Sequence, residues 1–340
     1  MTCGSPTYWT FESRDRATTT VRQRQCDNDV EGIVTIRVGI IGLGAMGGNA
    51  ALRLRESGFD LVVFDTRADQ MAQHEDAVHA TSVKDLAGQS DVILAFLPYS
   101  AQVEAVAIGP DGVIEGAKPG TIFVNMGTIA PTTTKKIAEV LAERGVDVVG
   151  APMNGGPHVA RAGRLALVVG GKDEVVERCR PVLCALGDVK HMGDVGSGEV
   201  AKIVNNLILA ICVNANAEAL VLGVKFGVDP EKLVDSVIEG VGFNHGMRKH
   251  YKQHVLLGDF GEKDLFSVDF MRKDLALAFD LADELEVPLR LGALADQNYQ
   301  AARAAGKAAN YHPVVCTLLE DLCGVKLRSG AALRDSAPGG

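Results

Sequence analysis

Lys202 and Asn206 stand four residues apart in Gly196-Ser-Gly-Glu-Val-Ala-Lys-Ile-Val-Asn-Asn206. On a helix that spacing puts them on one face. Val200, Ile203, Val204, Leu207 and Ile208 surround the face with apolar side chains. Such surroundings disfavour the charged form of an amine, lower its pKa and suit it to proton transfer near neutral pH. Asn206 is placed to orient the amine or a substrate. The competing reading is a structural lysine whose stem lies on apolar surface while its head reaches water. The segments on either side decide between the two.

Those segments begin near Ile36. Arg37-Val-Gly-Ile-Ile41 is an apolar run of strand type, and Gly42-Leu43-Gly44-Ala45-Met46-Gly47 follows at once. Residues 49–56 then have helical spacing. Strand, glycine turn and helix is the context in which G-x-G-x-x-G reads as a phosphate-binding loop. Gly42 permits the tight turn, Gly44 lets the backbone approach a pyrophosphate, and Gly47 allows close helix–strand packing. The helix N-terminus supplies amides and the positive end of a dipole. A second apolar run, Leu61-Val-Val-Phe64, ends in Asp65. An acid about 20 residues beyond the glycines can bond the adenosine ribose hydroxyls. Together these features predict a dinucleotide site. A carboxylate at Asp65 repels a 2′-phosphate and favours NAD. Arg67, two residues on, can stack on adenine or meet that phosphate, which keeps NADP as the alternative.

Strand-type runs at 91–98, 121–125 and 146–150 alternate with helical stretches opening at Ser82, Ser100 and Pro131. The alternation implies an α/β fold, a Rossmann-type doubly wound parallel sheet with helices on both faces. Ligands bind beyond the carboxyl ends of such strands. Leu97, Pro98 and Thr128 are therefore candidates to line the cofactor groove, although Leu97 and Pro98 read equally well as plain strand termination. After the next strand comes Gly150-Ala-Pro-Met-Asn154-Gly155-Gly156. Its paired glycines leave amides open and Asn154 adds a donor, a set that can hold a substrate carboxylate. A strand at 165–169 and a helix at 173–186 complete a first domain over residues 36–195.

The helix that starts near Glu199 meets no Gly or Pro before Gly223. It spans roughly 36 Å and is apolar nearly all round. It is expected to join the sheet to an all-α second domain over 196–326 and to form its spine. Asn214, Asn216 and Glu218 are its polar side. Later helices follow Asp229-Pro230 and carry Met271-Arg-Lys273-Asp-Leu-Ala-Leu-Ala278. Residues 1–35 read as a disordered leader and 327–340 as a flexible tail.

Composition narrows the class. The 340 residues are 47% hydrophobic and 23% charged, which suits a globular enzyme of two domains. A formal net charge of −9 without a basic stripe argues against a nucleic-acid partner. Seven scattered cysteines lack zinc-type spacing, so no metal is expected and a reducing, cytoplasmic compartment is. The apolar run 207–213 is far short of the ~20 residues a membrane span needs.

With these motifs on the page, residues 36–325 resemble the β-hydroxyacid dehydrogenase family, which includes 3-hydroxyisobutyrate dehydrogenase and tartronate semialdehyde reductase. Three motifs in order carry the resemblance: Gly42–Gly47, Gly196-x-Gly-x-x-x-Lys202-x-x-Asn-Asn206, and Lys273-Asp274-Leu-Ala-Leu-Ala278. The resemblance implies an NAD-dependent enzyme that interconverts a small acidic 3-hydroxyacid and its semialdehyde. Lys202 would be the general acid/base and Asn206 would help hold substrate. Thr128 and Lys273 would contact the cofactor, and the helical domain would bury the interface of a homodimer or homotetramer. The chain departs from the family pattern at Asn154, where Ser is usual, at Val159, where Gly is common, and at Asn125, where Asp is usual. His158, Arg161, Arg164 and His245 add positive charge near the proposed anion site. A reductase of another acidic aldehyde (tartronate semialdehyde, glyoxylate, succinic semialdehyde or a sulfonated aldehyde), NADP-dependent or not, is the alternative. A non-catalytic dinucleotide-binding module is disfavoured by the intact Lys202 and Asn206.

Overall fold

The computed structural model describes residues 36–261 and 266–330; the leader read at 1–35 lies outside them. The first domain alternates β1 (Arg37–Ile41), α1 (Ala45–Glu56), β2 (Asp60–Phe64), β3 (Val78–His79), α2 (Val83–Gly88), β4 (Val92–Ala95) and α3 (Ser100–Ile108). It continues through β5 (Ile122–Asn125), α4 (Pro131–Ala142), β6 (Asp147–Gly150), β7 (Met153–Asn154), α5 (Pro157–Arg161), β8 (Leu165–Gly170), α6 (Asp173–Leu186) and β9 (Gly187–Gly193). The strands line up as β3-β2-β1-β4-β5-β6-β8-β7, with β9 against β8. From β3 to β6 every pairing is parallel. Strands such as β4, Val-Ile-Leu-Ala, are buried throughout, as a sheet covered on both faces requires. Separate apolar clusters fill the two faces.

Beyond β6 the sheet is no longer purely parallel. β8 meets β6 and β7 antiparallel, and β9 runs parallel to β8. The residues of β9, Gly-Asp-Val-Lys-His-Met-Gly, carry little apolar alternation, and the sequence gives no strand expectation there. Its pairing with β8 creates it.

The second domain is all-α: α7 (Ser197–Phe226), α8 (Pro230–Glu239), α9 (Val268–Glu284), α10 (Arg290–Ala304) and α11 (Cys316–Cys323). α7 has 30 residues and runs through Gly223. Gly223 is not a stop: a Cβ there would lie 2.6 Å from the Leu233 side chain, so it lets α8 approach. The cap is Gly227, at φ +108°. By length and composition α7 would pass as a membrane-crossing helix, which the short run 207–213 does not suggest. In the fold α8, α9, α10 and α11 pack around it, and two apolar clusters form between them.

The chain also stays packed beyond residue 326. Leu327 is fully buried, and its N–H and the Arg328 guanidinium both meet the buried Glu320 carboxylate. Order therefore continues into the stretch read as a tail, and 331–340 lies outside the described residues. No disulfide joins the five described cysteines.

Candidate active site

The phosphate loop has the expected form. Gly42 takes φ +87°, and a Cβ on Gly47 would lie 1.9 Å from the Gly42 carbonyl oxygen. Only glycine fits either position. Above Gly44 a Cβ would meet nothing within 4 Å, so the face that must admit a pyrophosphate is open. α1 starts at Ala45 with no side-chain cap and no acid in its first turn, so its amides face no competing carboxylate. Asp65, whose side chain is 10% exposed, accepts from Leu43 N–H at 2.7 Å and Arg67 N–H at 2.8 Å. The Arg67 guanidinium lies 3.8 Å from the same carboxylate. Asp65 thus ties the end of β2 to the glycine loop. These groups fit a dinucleotide.

Lys202 lies on the second turn of α7. Its amine donates to Asn154 Oδ1 at 2.8 Å, across the junction between the domains. The residue is half-buried overall, and its amine is packed inside the protein. Burial lowers its pKa to about 8; the Asp274 carboxylate opposes that shift and the Lys273 ammonium adds to it. Asn206 does not touch the amine. Its Nδ2 donates to Asp274 Oδ2 at 2.5 Å, and its Oδ1 accepts from Asn205 at 3.0 Å. Asn205 also reaches Asn154 Oδ1 at 3.3 Å. Asn154, read from the sequence as a substrate donor, is therefore the side chain that orients Lys202.

Lys273 extends from α9 to the nucleotide sheet. Its ammonium donates to the Pro98 carbonyl at 3.0 Å and the Thr128 carbonyl at 2.5 Å. It also lies 2.8 Å from Asp274 Oδ1, a contact whose angle is poor for a hydrogen bond. Leu97 packs against the phosphate loop, its Cδ2 3.2 Å from where a Gly42 Cβ would stand. Lys202, Asn154, Asn206, Lys273, Pro98 and Thr128 thus belong to one connected cluster. Gly155, at φ +129°, and Gly156 lead from Asn154 into α5.

The extra positive charge is only partly gathered there: the His158 ring lies 3.5 Å from where a Gly156 Cβ would stand. Arg161 is taken up by both oxygens of Glu56 on the outer surface. Arg164 and His158 are exposed, and His245 sits in the helical domain beside His250, ring centroids 6.5 Å apart.

Sequence reasoning missed two acids. Asp274 is buried and joins Asn206 to Lys273. Its signal is the Lys273-Asp274-Leu-Ala-Leu-Ala278 motif that contains it. Glu199 is 0% exposed, and its Oε1 accepts from Asn125 Nδ2 at 3.0 Å and Thr134 Oγ1 at 2.8 Å. Its signal was an acid between glycines and an apolar helix face, three residues before the lysine.

Comparison with known proteins gives the family. Residues 37–196 match the model for the NAD-binding domain of 6-phosphogluconate dehydrogenase. Residues 196–319 match that for the NAD-binding region of NADP-dependent 3-hydroxyisobutyrate dehydrogenase. The 2-(hydroxymethyl)glutarate dehydrogenase of Eubacterium barkeri is 38% identical over 299 residues, 87% of this chain and 99% of that protein. The 3-hydroxyisobutyrate dehydrogenase of Pseudomonas aeruginosa is 36% identical over 265 residues, 76% and 89% of the two chains. The solved structure of Mycobacterium tuberculosis 3-hydroxyisobutyrate dehydrogenase with L-serine superposes with a TM-score of 0.77 at 28% identity, covering 84% of this chain and 99% of that one. The phosphate loop, the lysine at the head of the long helix and these relatives lead to one conclusion: the chain belongs to the β-hydroxyacid dehydrogenase family, NAD(P)-dependent enzymes that act on the CH–OH group of hydroxyacids.

Proposed function

We propose that the enzyme interconverts a small acidic 3-hydroxyacid and its semialdehyde, with Lys202 as the general acid/base. The observation that carries this reading is the enclosed Lys202 amine, held by Asn154 in the same cluster as Lys273 and the carbonyls of Pro98 and Thr128. When bound along Gly42–Gly47, Asp65, Leu97, Pro98, Thr128 and Lys273, the nicotinamide dinucleotide supplies the hydride acceptor or donor. The protein supplies the proton path. In oxidation, the neutral Lys202 amine takes the hydroxyl proton as the C–H electron pair leaves. In reduction, the Lys202 ammonium stabilises charge developing on the carbonyl oxygen and protonates it. Asn154 fixes the direction of the amine, while Gly155 and Gly156 present amides to the substrate carboxylate. Asn206, held by Asp274 and Asn205, helps to hold substrate in this reading. The Asp65 carboxylate favours NAD over a cofactor bearing a 2′-phosphate.

The substrate reading includes 3-hydroxyisobutyrate and its close analogues. The 38% identity to the Eubacterium barkeri protein favours one specific second reading, 2-(hydroxymethyl)glutarate. The test is a panel of both compounds, with L-serine, L-threonate and the semialdehydes named above, each assayed by absorbance with NAD and NADP. Turnover of 3-hydroxyisobutyrate or 2-(hydroxymethyl)glutarate with NAD supports the reading; turnover of none of the hydroxyacids overturns it.

We also infer that a second copy of the chain covers the helical domain, in a cytoplasmic homodimer or a tetramer built from it. Val204, Ile208, Ala215, Ala219, Leu222 and Phe226 form an exposed apolar stripe along α7, with Leu222 75% and Phe226 88% exposed. Leu291 and Leu294 extend it onto α10. A contiguous apolar face of this kind marks an interface.

A further inference from the structure

We propose that Glu199 is a positioning residue: one buried carboxyl pins the roots of the three segments that deliver Lys202, Asn154 and Thr128. The proposal rests on the reading of Lys202 as the proton carrier. Glu199 occupies the first turn of α7, three residues before Lys202. Its carboxyl lies directly over Gly150, where a Cβ would come within 2.2 Å of Oε1. Gly150 ends β6 and begins the segment that reaches Asn154. Next to it, a Cβ on Gly198 would lie 2.8 Å from the Gly150 carbonyl and 2.6 Å from that of Val168, so α7 is seated on the sheet with no room to slide.

The third segment is the turn after β5. Asn125 Oδ1 accepts from Gly127 N–H at 3.0 Å, which fixes the orientation of the amide and leaves Nδ2 to donate. Nδ2 donates to the Gly127 carbonyl and to Glu199 Oε1, each at 3.0 Å. The turn so clamped carries Thr128, whose carbonyl receives Lys273. Thr134 on α4 supplies the second donor to Oε1.

The groups facing Glu199 from β5, β6 and α4 are Asn125, Gly150 and Thr134, all uncharged, and Oε2 has no partner among the described residues. Burial raises the Glu199 pKa, with the two donors opposing it. A neutral acid is the form such surroundings favour. It can hold three backbone segments together without burying a charge among them. Asn125, which replaces the Asp usual in the family, then supplies the amide half of an acid–amide pair whose acid half is Glu199.

The test compares Glu199→Ala, Glu199→Gln and Asn125→Asp. The pH dependence of Lys202 labelling by an amine-reactive reagent, read by mass spectrometry, reports the amine's pKa whether or not the amine is catalytic. Turnover is measured on the same preparations. For Glu199→Ala the labelling midpoint should move up from about 8 toward the ordinary lysine value, and kcat should fall about 10²-fold, the scale of a small misplacement of reacting groups. Glu199→Gln, which keeps shape and acceptor, should restore both. Asn125→Asp, which removes the donor to both the Gly127 carbonyl and Glu199 Oε1, should disturb both. An unmoved labelling midpoint in folded Glu199→Ala overturns the proposal, as does an unmoved midpoint in folded Asn125→Asp. A shifted midpoint with unchanged kcat instead locates the failure in the catalytic reading of Lys202.

Discussion

The two ends of α7 are built on different rules. At its head, Gly198 and Glu199 press against Gly150 and Gly170, and the polar groups there are arranged in hydrogen-bonded sets. Along its remaining length, one face fills the helical core while the other presents Ile208, Leu222 and Phe226 to the outside. The head is complete within one chain, whereas the shaft leaves apolar area for something else to cover. Geometry accurate enough for proton transfer comes from small residues and paired polar groups at a junction. Association needs only a broad apolar face.

Five variants or measurements probe that contrast. Lys202→Ala removes the functional group at the head and should lower kcat by about 10²- to 10⁴-fold, the range of a lost general acid/base. NAD titration followed by fluorescence should still show binding. Surviving turnover would mean that another group carries the proton. On the shaft, Ile208→Glu places a charge in the proposed contact between copies, and sedimentation should show the parent protein as a dimer or tetramer and the variant as monomers. An unchanged assembly would move the interface elsewhere.

Two alanine substitutions compare the ends directly. Gly150→Ala forces a methyl group to 2.2 Å from a buried carboxyl and should destabilise by about 1–3 kcal/mol in thermal unfolding. Gly223→Ala meets only the movable end of Leu233 and should cost less. The reverse order would mean that the head is softer than its packing implies. The smallest effect concerns pH. With the Lys202 pKa lowered to about 8, hydroxyacid oxidation needs the neutral amine and should rise as pH passes through about 8. Aldehyde reduction needs the ammonium and should fall over the same interval. A profile flat across that interval in both directions would exclude Lys202 from the rate-determining step.

The sequence makes one part of this molecule far more legible than another. Gly42, Gly44, Gly47 and Asp65 announce themselves because a turn, a close approach and a strand end each demand a particular residue type. Lys202 and Asn206 are readable as a helical pair, yet their partners are not. That Asn154 holds the lysine while Asp274 holds Asn206 depends on contacts across 48 and 68 residues, which no local pattern encodes. Glu199 resembles any first-turn acid at a helix N-terminus until the fold closes around it. Gly223 misleads for the same reason: it serves a neighbouring helix, and its own strand of sequence reads as an ending. β9 has no pattern of its own because its neighbour, β8, is what makes it a strand.

The packing of Leu327 and Arg328 has a practical side. Glu320 is sealed inside the helical domain, and Arg328 is the cation that meets both of its oxygens. A shortened expression product that stops at Lys326 would leave that carboxylate only the Lys326 ammonium, 3.7 Å from Oε2, and would open a hole where Leu327 sits, and it should be recovered poorly folded. Trimming designed for crystallisation, or a fusion joined at this end, should keep every residue through Gly330.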